Sequence, residues 1–132
     1  MDRRSFLTAG TALLWFHLAG CENEPGQLVP VRGSVRYRSL LLRQGVIVFT
    51  PDAVRGGGGP ISHAEIQPDG SYVLACDDGP GAVPGWHRVT ITAYGGVDSR
   101  SLLPTRYGDP EQSGLAFEIK PDRNNVIEID LE

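Results

Sequence analysis

Cysteines, histidines and carboxylates within reach of one another are the raw material of metal and nucleophile sites, and this chain of 132 residues holds few of them. Its cysteines are Cys21 and Cys76 and its histidines are His17, His63 and His87. His63 and His87 with Asp69, Asp77 or Asp78 would supply nitrogen and oxygen donors, but no His-x-His or Cys-x-x-Cys spacing organises them. Asp69 is accounted for by the turn Pro68-Asp69-Gly70. His87 falls on the apolar face of an alternating run, where a packed histidine with satisfied nitrogens is expected. Asp77-Asp78-Gly79 lacks the spaced ligand array of a calcium loop. Cys76 shares a face with Tyr72 and Leu74 and reads as a buried thiol. A reactive thiol would need a base and an electropositive pocket. The glycine run at 56–59 would suit a phosphate loop only if a helix and a Lys-Ser or Lys-Thr pair followed. Pro60 and a strand follow instead, so a flexible hairpin loop is expected. No serine or threonine sits in a nucleophile elbow. The expectation is a protein without catalytic residues, metal or cofactor.

One loop stands out for binding. "PTRYGDPEQSGL", residues 104–115, is the longest polar connection with an embedded aromatic, and function gathers on such loops. Arg106, Tyr107 and Asp109 are therefore a candidate partner surface, for an envelope protein or a glycan. The favoured alternative is that Tyr107 packs its ring against the end of the fold and keeps its hydroxyl wet. For stacking a sugar, only Trp86, Tyr94 and Tyr107 are available. A formal charge of −4 and a pI near 5.3 argue against nucleic acid and against electrostatic adhesion to anionic lipid.

Cys21 has a context of its own. "MDRRSFLTAGTALLWFHLAGC" opens with Arg3 and Arg4, continues through a mostly apolar stretch at 6–19, and closes on Leu18, Ala19 and Gly20 before the cysteine. A membrane-spanning helix needs about 20 apolar residues, and this run is too short and too interrupted. It has the length of an export-signal apolar region. "LAGC" resembles the lipobox of bacterial lipoprotein precursors. The resemblance implies a thioether-linked diacylglyceryl group on Cys21, cleavage just before it, and acylation of the new amino group. Each buried methylene adds about 0.8 kcal/mol, so two or three chains hold where one would not. "RRSFL" also resembles the twin-arginine export motif through Arg3, Arg4, Phe6 and Leu7, with Asp2 and Thr8 departing from it. Loss of Asp2, Arg3 and Arg4 takes the formal charge from −4 to −5. "ENEPGQ" then reads as a tether spanning at most about 20 Å. The retention signal for the inner membrane in many such lipoproteins is an aspartate after the cysteine, so Glu22 implies the outer membrane where one exists.

The remainder must position whatever site there is, and its pattern is strand. Val29, Val31, Gly33, Val35 and Tyr37 alternate with Arg32, Ser34 and Arg36. "GVIVFTP", "HAEIQ", "SYVLAC", "WHRVTITAY", "LAFEIK" and "NVIEIDL" complete seven candidate strands. They place Tyr72, Leu74 and Cys76 on one face, and likewise His87, Val89, Ile91 and Ala93. Leu115, Phe117 and Ile119 share another face, as do Ile127, Ile129 and Leu131. High glycine and proline content, 17 and 10 residues, supplies the turns. One all-β domain over 29–132 is expected, a single seven-stranded antiparallel β-sandwich of immunoglobulin-like kind, with a small barrel as its rival. Residues 1–20 are expected to be a signal peptide and 21–28 the lipidated cysteine and tether.

"VRGSVRYRSLLLRQGVIVFTP", "EIQPDGSYVL", "PGWHRVTITAY" and "PTRYGDPEQSGLAFEIKPDRNNVIEIDL" together resemble the carboxypeptidase regulatory-like, or transthyretin-like, lipoproteins of planctomycete-type bacteria. That resemblance implies a seven-stranded prealbumin-like sandwich without catalytic residues. His87 stands where the family carries an inward Tyr or Phe, and "VRGGGGPI" is richer in glycine than usual. The His, Arg and carboxy-terminal Tyr-Arg-Gly-Ser set of transthyretin-like hydrolases is not matched by "NNVIEIDLE". The expected protein is exported and lipid-anchored in the cell envelope, a structural or protein-interaction module. A carbohydrate- or small-ligand-binding module is the alternative, and a hydrolase is least expected.

Overall fold

Alternating valine and polar residues make β1 (Val31–Tyr37) a two-faced strand. Val31 and Val35 are buried, while Arg32 and Arg36 face solvent. The computed structural model describes residues 27–132. Among these it contains strands and two short 3-10 turns and no α-helix.

β1 sits inside the first sheet. On one side lies the last strand, β12 (Asn125–Leu131), in parallel register from Val31 opposite Asn125 to Tyr37 opposite Leu131. This corrects the expectation of purely antiparallel sheets. Parallel neighbours need a long crossover, and here the crossover is the rest of the domain. On its other side β1 pairs antiparallel with β2 (Leu40–Leu41) and with β5 (Ser71–Val73). The second sheet is antiparallel. Its order is β11 (Ala116–Ile119), β8 (Gly85–Thr92), β3 (Val46–Pro51), β4 (Ser62–Glu65), β6 (Ala75–Cys76), β7 (Gly79–Pro80). A small hairpin joins β9 (Tyr94–Gly95) to β10 (Arg100–Ser101).

Twelve strand segments among the described residues thus stand where seven were expected. Four of the extra ones are two-residue pieces, β2, β7, β9 and β10. The fifth arises because "SYVLAC" serves both sheets, β5 in the first and β6 in the second. Leu74 is the crossing point. Its N–H donates to the Val31 carbonyl at 2.9 Å, and its own carbonyl accepts from Gly81 at 2.8 Å. One period of two runs through the crossing, so Tyr72, Leu74 and Cys76 all stay inward.

The inward faces of both sheets share one core. Val31, Val35, Tyr72, Ile129 and Leu131 come from the first sheet, and Ile47, Phe49, Val89, Ile91 and Ile119 from the second. The rings of Phe49 and Tyr72 meet between the sheets at 6.3 Å. Tyr72 is fully buried, and its hydroxyl donates to the Ile127 carbonyl at 2.7 Å. That burial raises its pKa above the ordinary phenol value.

Strand directions give the domain two ends. The chain enters at one, where Val29 pairs with Ala82 and where the loops at 52–61, 77–84 and 120–124 gather. At the other lie the starts of β3 and β9, the β9–β10 hairpin, and Glu132. The eight residues of β8 separate the two by about 25 Å.

Candidate functional site

The anchor residues Cys21, Arg3, Arg4, Phe6, Leu7, Leu18, Ala19 and Gly20 lie outside the described residues. The predicted partner loop lies inside them, and its aromatic turns inward. A 3-10 turn, Thr105–Gly108, drives Tyr107 into the core with 4% exposure, so its ring presents no surface to a partner. Its hydroxyl accepts from the Glu132 N–H at 3.1 Å and from Arg106 at 2.9 Å, and it lies 3.2 Å from the Glu132 carbonyl. Arg106 stays exposed, its guanidinium 4.7 Å from the tyrosine ring centre. The tyrosine hydroxyl holds its pKa above the usual arginine value. Asp109 is half-buried and accepts from Glu111 N–H at 2.9 Å, closing the next turn. Ser113, buried, donates to the Val89 carbonyl at 2.7 Å and ties the loop to β8.

Asp109 does border a site that sequence reasoning missed. Together with Pro110 and Glu111 it faces Thr50, Asp52, Val54 and Arg88 across a cleft of about 380 Å³. Asp52 is buried at 6% exposure directly after β3. One carboxylate oxygen accepts from the Val54 N–H at 3.1 Å, capping the turn Ala53–Arg55. The other faces the Nε atoms of Arg88 at 3.4 Å and Arg55 at 3.7 Å. The Arg55 guanidinium lies 4.4 Å from the ring centre of Trp86. Asp52 is engaged on both oxygens and positions two arginines. Aspartate directly after a strand and two residues before the amide it caps was the available signal. The cleft is lined by charged and polar side chains that can bind a polar group.

The glycine run behaves as expected, with no helix after it. Gly56 closes the turn at φ 79°, and the Gly57 N–H donates to the Asp52 carbonyl at 2.8 Å. His63 is exposed and Cys76 is a buried free thiol. Among the described residues no group of three or more His, Cys, Asp or Glu side chains is placed to hold a metal ion. In its exposed turn, Asp69 takes the Ser71 hydroxyl at 2.6 Å and the Ser71 N–H at 3.0 Å, and these lower its pKa.

His87 is the exception to satisfied burial. It is fully buried against Phe49, ring centres 6.0 Å apart. Nδ1 lies 3.0 Å from the Gly85 carbonyl, but Nε2 has no partner. The expectation of two satisfied nitrogens is corrected. The apolar surroundings were legible, but the missing partner depends on which strand faces the ring. Burial lowers its pKa, opposed by the Gly85 carbonyl. With the folded value depressed, the unfolded chain takes the proton first as pH falls through about 6.5. Stability is therefore full above that pH and declines below it, until the folded-state pKa is passed. Urea unfolding of wild type at pH 7 and pH 5 should show this loss, and His87→Phe should remove most of it.

No protein-family model, curated protein or solved structure gives a significant match to the chain. The functional reading therefore rests on the residues themselves.

Proposed function

We propose that this protein is an exported lipoprotein, anchored through acylated Cys21 in the cell envelope, whose β domain acts by binding an envelope component and not by catalysis. The anchoring membrane is the outer membrane or the outer face of the cytoplasmic membrane. The domain is read as an immunoglobulin-like or prealbumin-like sandwich built on seven principal strands, of the carboxypeptidase regulatory-like kind. The observation that carries this reading is the "LAGC" sequence eight residues before Val29, the first residue to pair with the body of the domain. A tether of that length keeps the end bearing Val29 within about 28 Å of the bilayer. It leaves the opposite end, about 25 Å further out, free to meet a partner.

Cys21→Ala tests the anchor. Cells fed radiolabelled palmitate should label the wild-type protein and recover it with membranes, while the variant should take up no label and appear in the soluble fraction. Label and membrane recovery retained by the variant would refute the proposal.

A further inference from the structure

The end opposite the tether carries a second cleft, of about 420 Å³, lined by Gln44, Gly45, Val46, Glu65, Ile66, Thr92 and Tyr94. Sheet register assembles it. Val46 pairs with Glu65 on one side and with Thr92 on the other, so three adjacent strands lay Glu65, Val46 and Thr92 in one row. Two residues beyond Thr92 and two before Val46, the same period brings Tyr94 and Gln44 alongside. Gly95 completes the arrangement, because the Gln44 amide nitrogen occupies the space that a side chain there would need.

The chemistry of this lining is specific. Tyr94 is 62% exposed, an aromatic face left open to solvent. Around it stand an amide (Gln44), a carboxylate (Glu65) and a hydroxyl (Thr92), and among the described residues none of these side chains has a hydrogen-bond or ion-pair partner. Elsewhere the side chains of Asp52, Ser62, Ser113 and Asn125 are engaged internally. An open ring flanked by free donors and acceptors matches a pyranose. Its C–H face packs on an aromatic while its hydroxyls exchange hydrogen bonds with amide, carboxylate and hydroxyl. Glu65 is the only charged residue in the lining, which disfavours anionic sugars. The volume falls within the range of small-molecule sites.

We propose that this cleft binds a neutral pyranose of an envelope glycan, with Tyr94 as the stacking platform and Gln44, Glu65 and Thr92 as hydroxyl partners. The proposal rests on the reading of the protein as a binding module, but it does not need the lipid.

The test is calorimetric titration of the full-length protein in a detergent without a sugar headgroup. The probes are the β-1,4-linked tetramer of N-acetylglucosamine, maltotetraose, and sialyllactose as the anionic control. At least one neutral tetramer should bind saturably with a Kd of about 1 mM or tighter, and sialyllactose should not. Tyr94→Ala should weaken binding at least about tenfold and Gln44→Ala about fivefold, from the loss of stacking and of one hydrogen bond. Both side chains are exposed, so neither variant should shift the melting temperature; should Tyr94→Ala misfold, Gln44→Ala carries the test. No heat from either neutral tetramer at about 10 mM, or unchanged affinity in both variants, overturns the proposal. So does a photocrosslinker at position 94 that captures a polypeptide in cells and no glycan. Cys21→Ala should leave the titration unchanged, so failure of the anchor and failure of the sugar site give different results.

Discussion

Gly33→Ala is expected to cost about 4 kcal/mol, a large part of the stability of a domain this size. Gly33 lies between Tyr72 of β5 and Ile127 of β12. A Cβ at this position would overlap the Ile127 carbonyl oxygen and stand 2.8 Å from the Tyr72 hydroxyl. Neither is the loose end of a side chain. The oxygen belongs to a strand held in register at seven pairs, and the hydroxyl is the tip of a fully buried ring donating to that same oxygen. Relief requires β12 to move away, breaking the Tyr72 bond and opening the core seam. Urea unfolding should show a large fall in midpoint, or no cooperative transition. Gly58→Ala is the control, since nothing lies within 4 Å of the added atom. It should change stability by less than about 0.5 kcal/mol. Similar stabilities for the two variants would mean that β12 does not lie where it is described.

Asn125→Ala should lower stability by about 3 kcal/mol and the melting temperature by more than about 10 °C. Asn125 is buried at the first position of β12. Its side-chain oxygen accepts from the Lys120 N–H at 2.8 Å, and its amide nitrogen donates to the carbonyls of Lys120 and Arg123, each at 3.0 Å. Its own backbone N–H reaches the Pro30 carbonyl at 3.0 Å. One side chain thus closes the turn that carries the chain from the second sheet to the first and fixes where β12 begins. Alanine leaves three backbone groups of that turn without protein partners. Asn125→Asp keeps the acceptor but sets a carboxylate oxygen against the Lys120 and Arg123 carbonyls, so at pH 7 thermal unfolding should place it no higher than alanine. A drop below about 1 kcal/mol for alanine would show that the turn closes without this side chain.

Much of the body was legible because a strand's two faces are written at a period of two. The buried set Val31, Val35, Tyr72, Leu74, Val89, Ile91, Ile119, Ile129 and Leu131 follows from alternation, whereas in the continuously apolar run at 46–49 only the packing selects Ile47 and Phe49 as the inward pair. The inward position of His87 follows from alternation too. Turn chemistry was legible where residue type demands it, as at Asp69-Gly70. It failed at Arg38-Ser39, which join β1 to β2 with φ of 51° and 68°. Neither residue is the Gly, Asn or Asp that normally signals such a turn.

The candidate binding surfaces were the least legible part. Tyr107 and Tyr94 both look like aromatics beside polar loops in the sequence. The 3-10 turn and the Glu132 backbone bury the first, while the second stays 62% exposed in β9.

By itself the sequence determined the strand content, the inward faces, the turn at Pro68-Asp69-Gly70 and the expectation of an acylated Cys21. These are local properties, set by neighbours within a few residues. Tertiary structure alone decided that the first and last strands run parallel, that residues 71–76 serve both sheets, that Asp52 collects two arginines, and that Gln44, Glu65, Thr92 and Tyr94 share a cleft. Each depends on which strand lies beside which. Alternation says which way a side chain points and carries no information about what waits there.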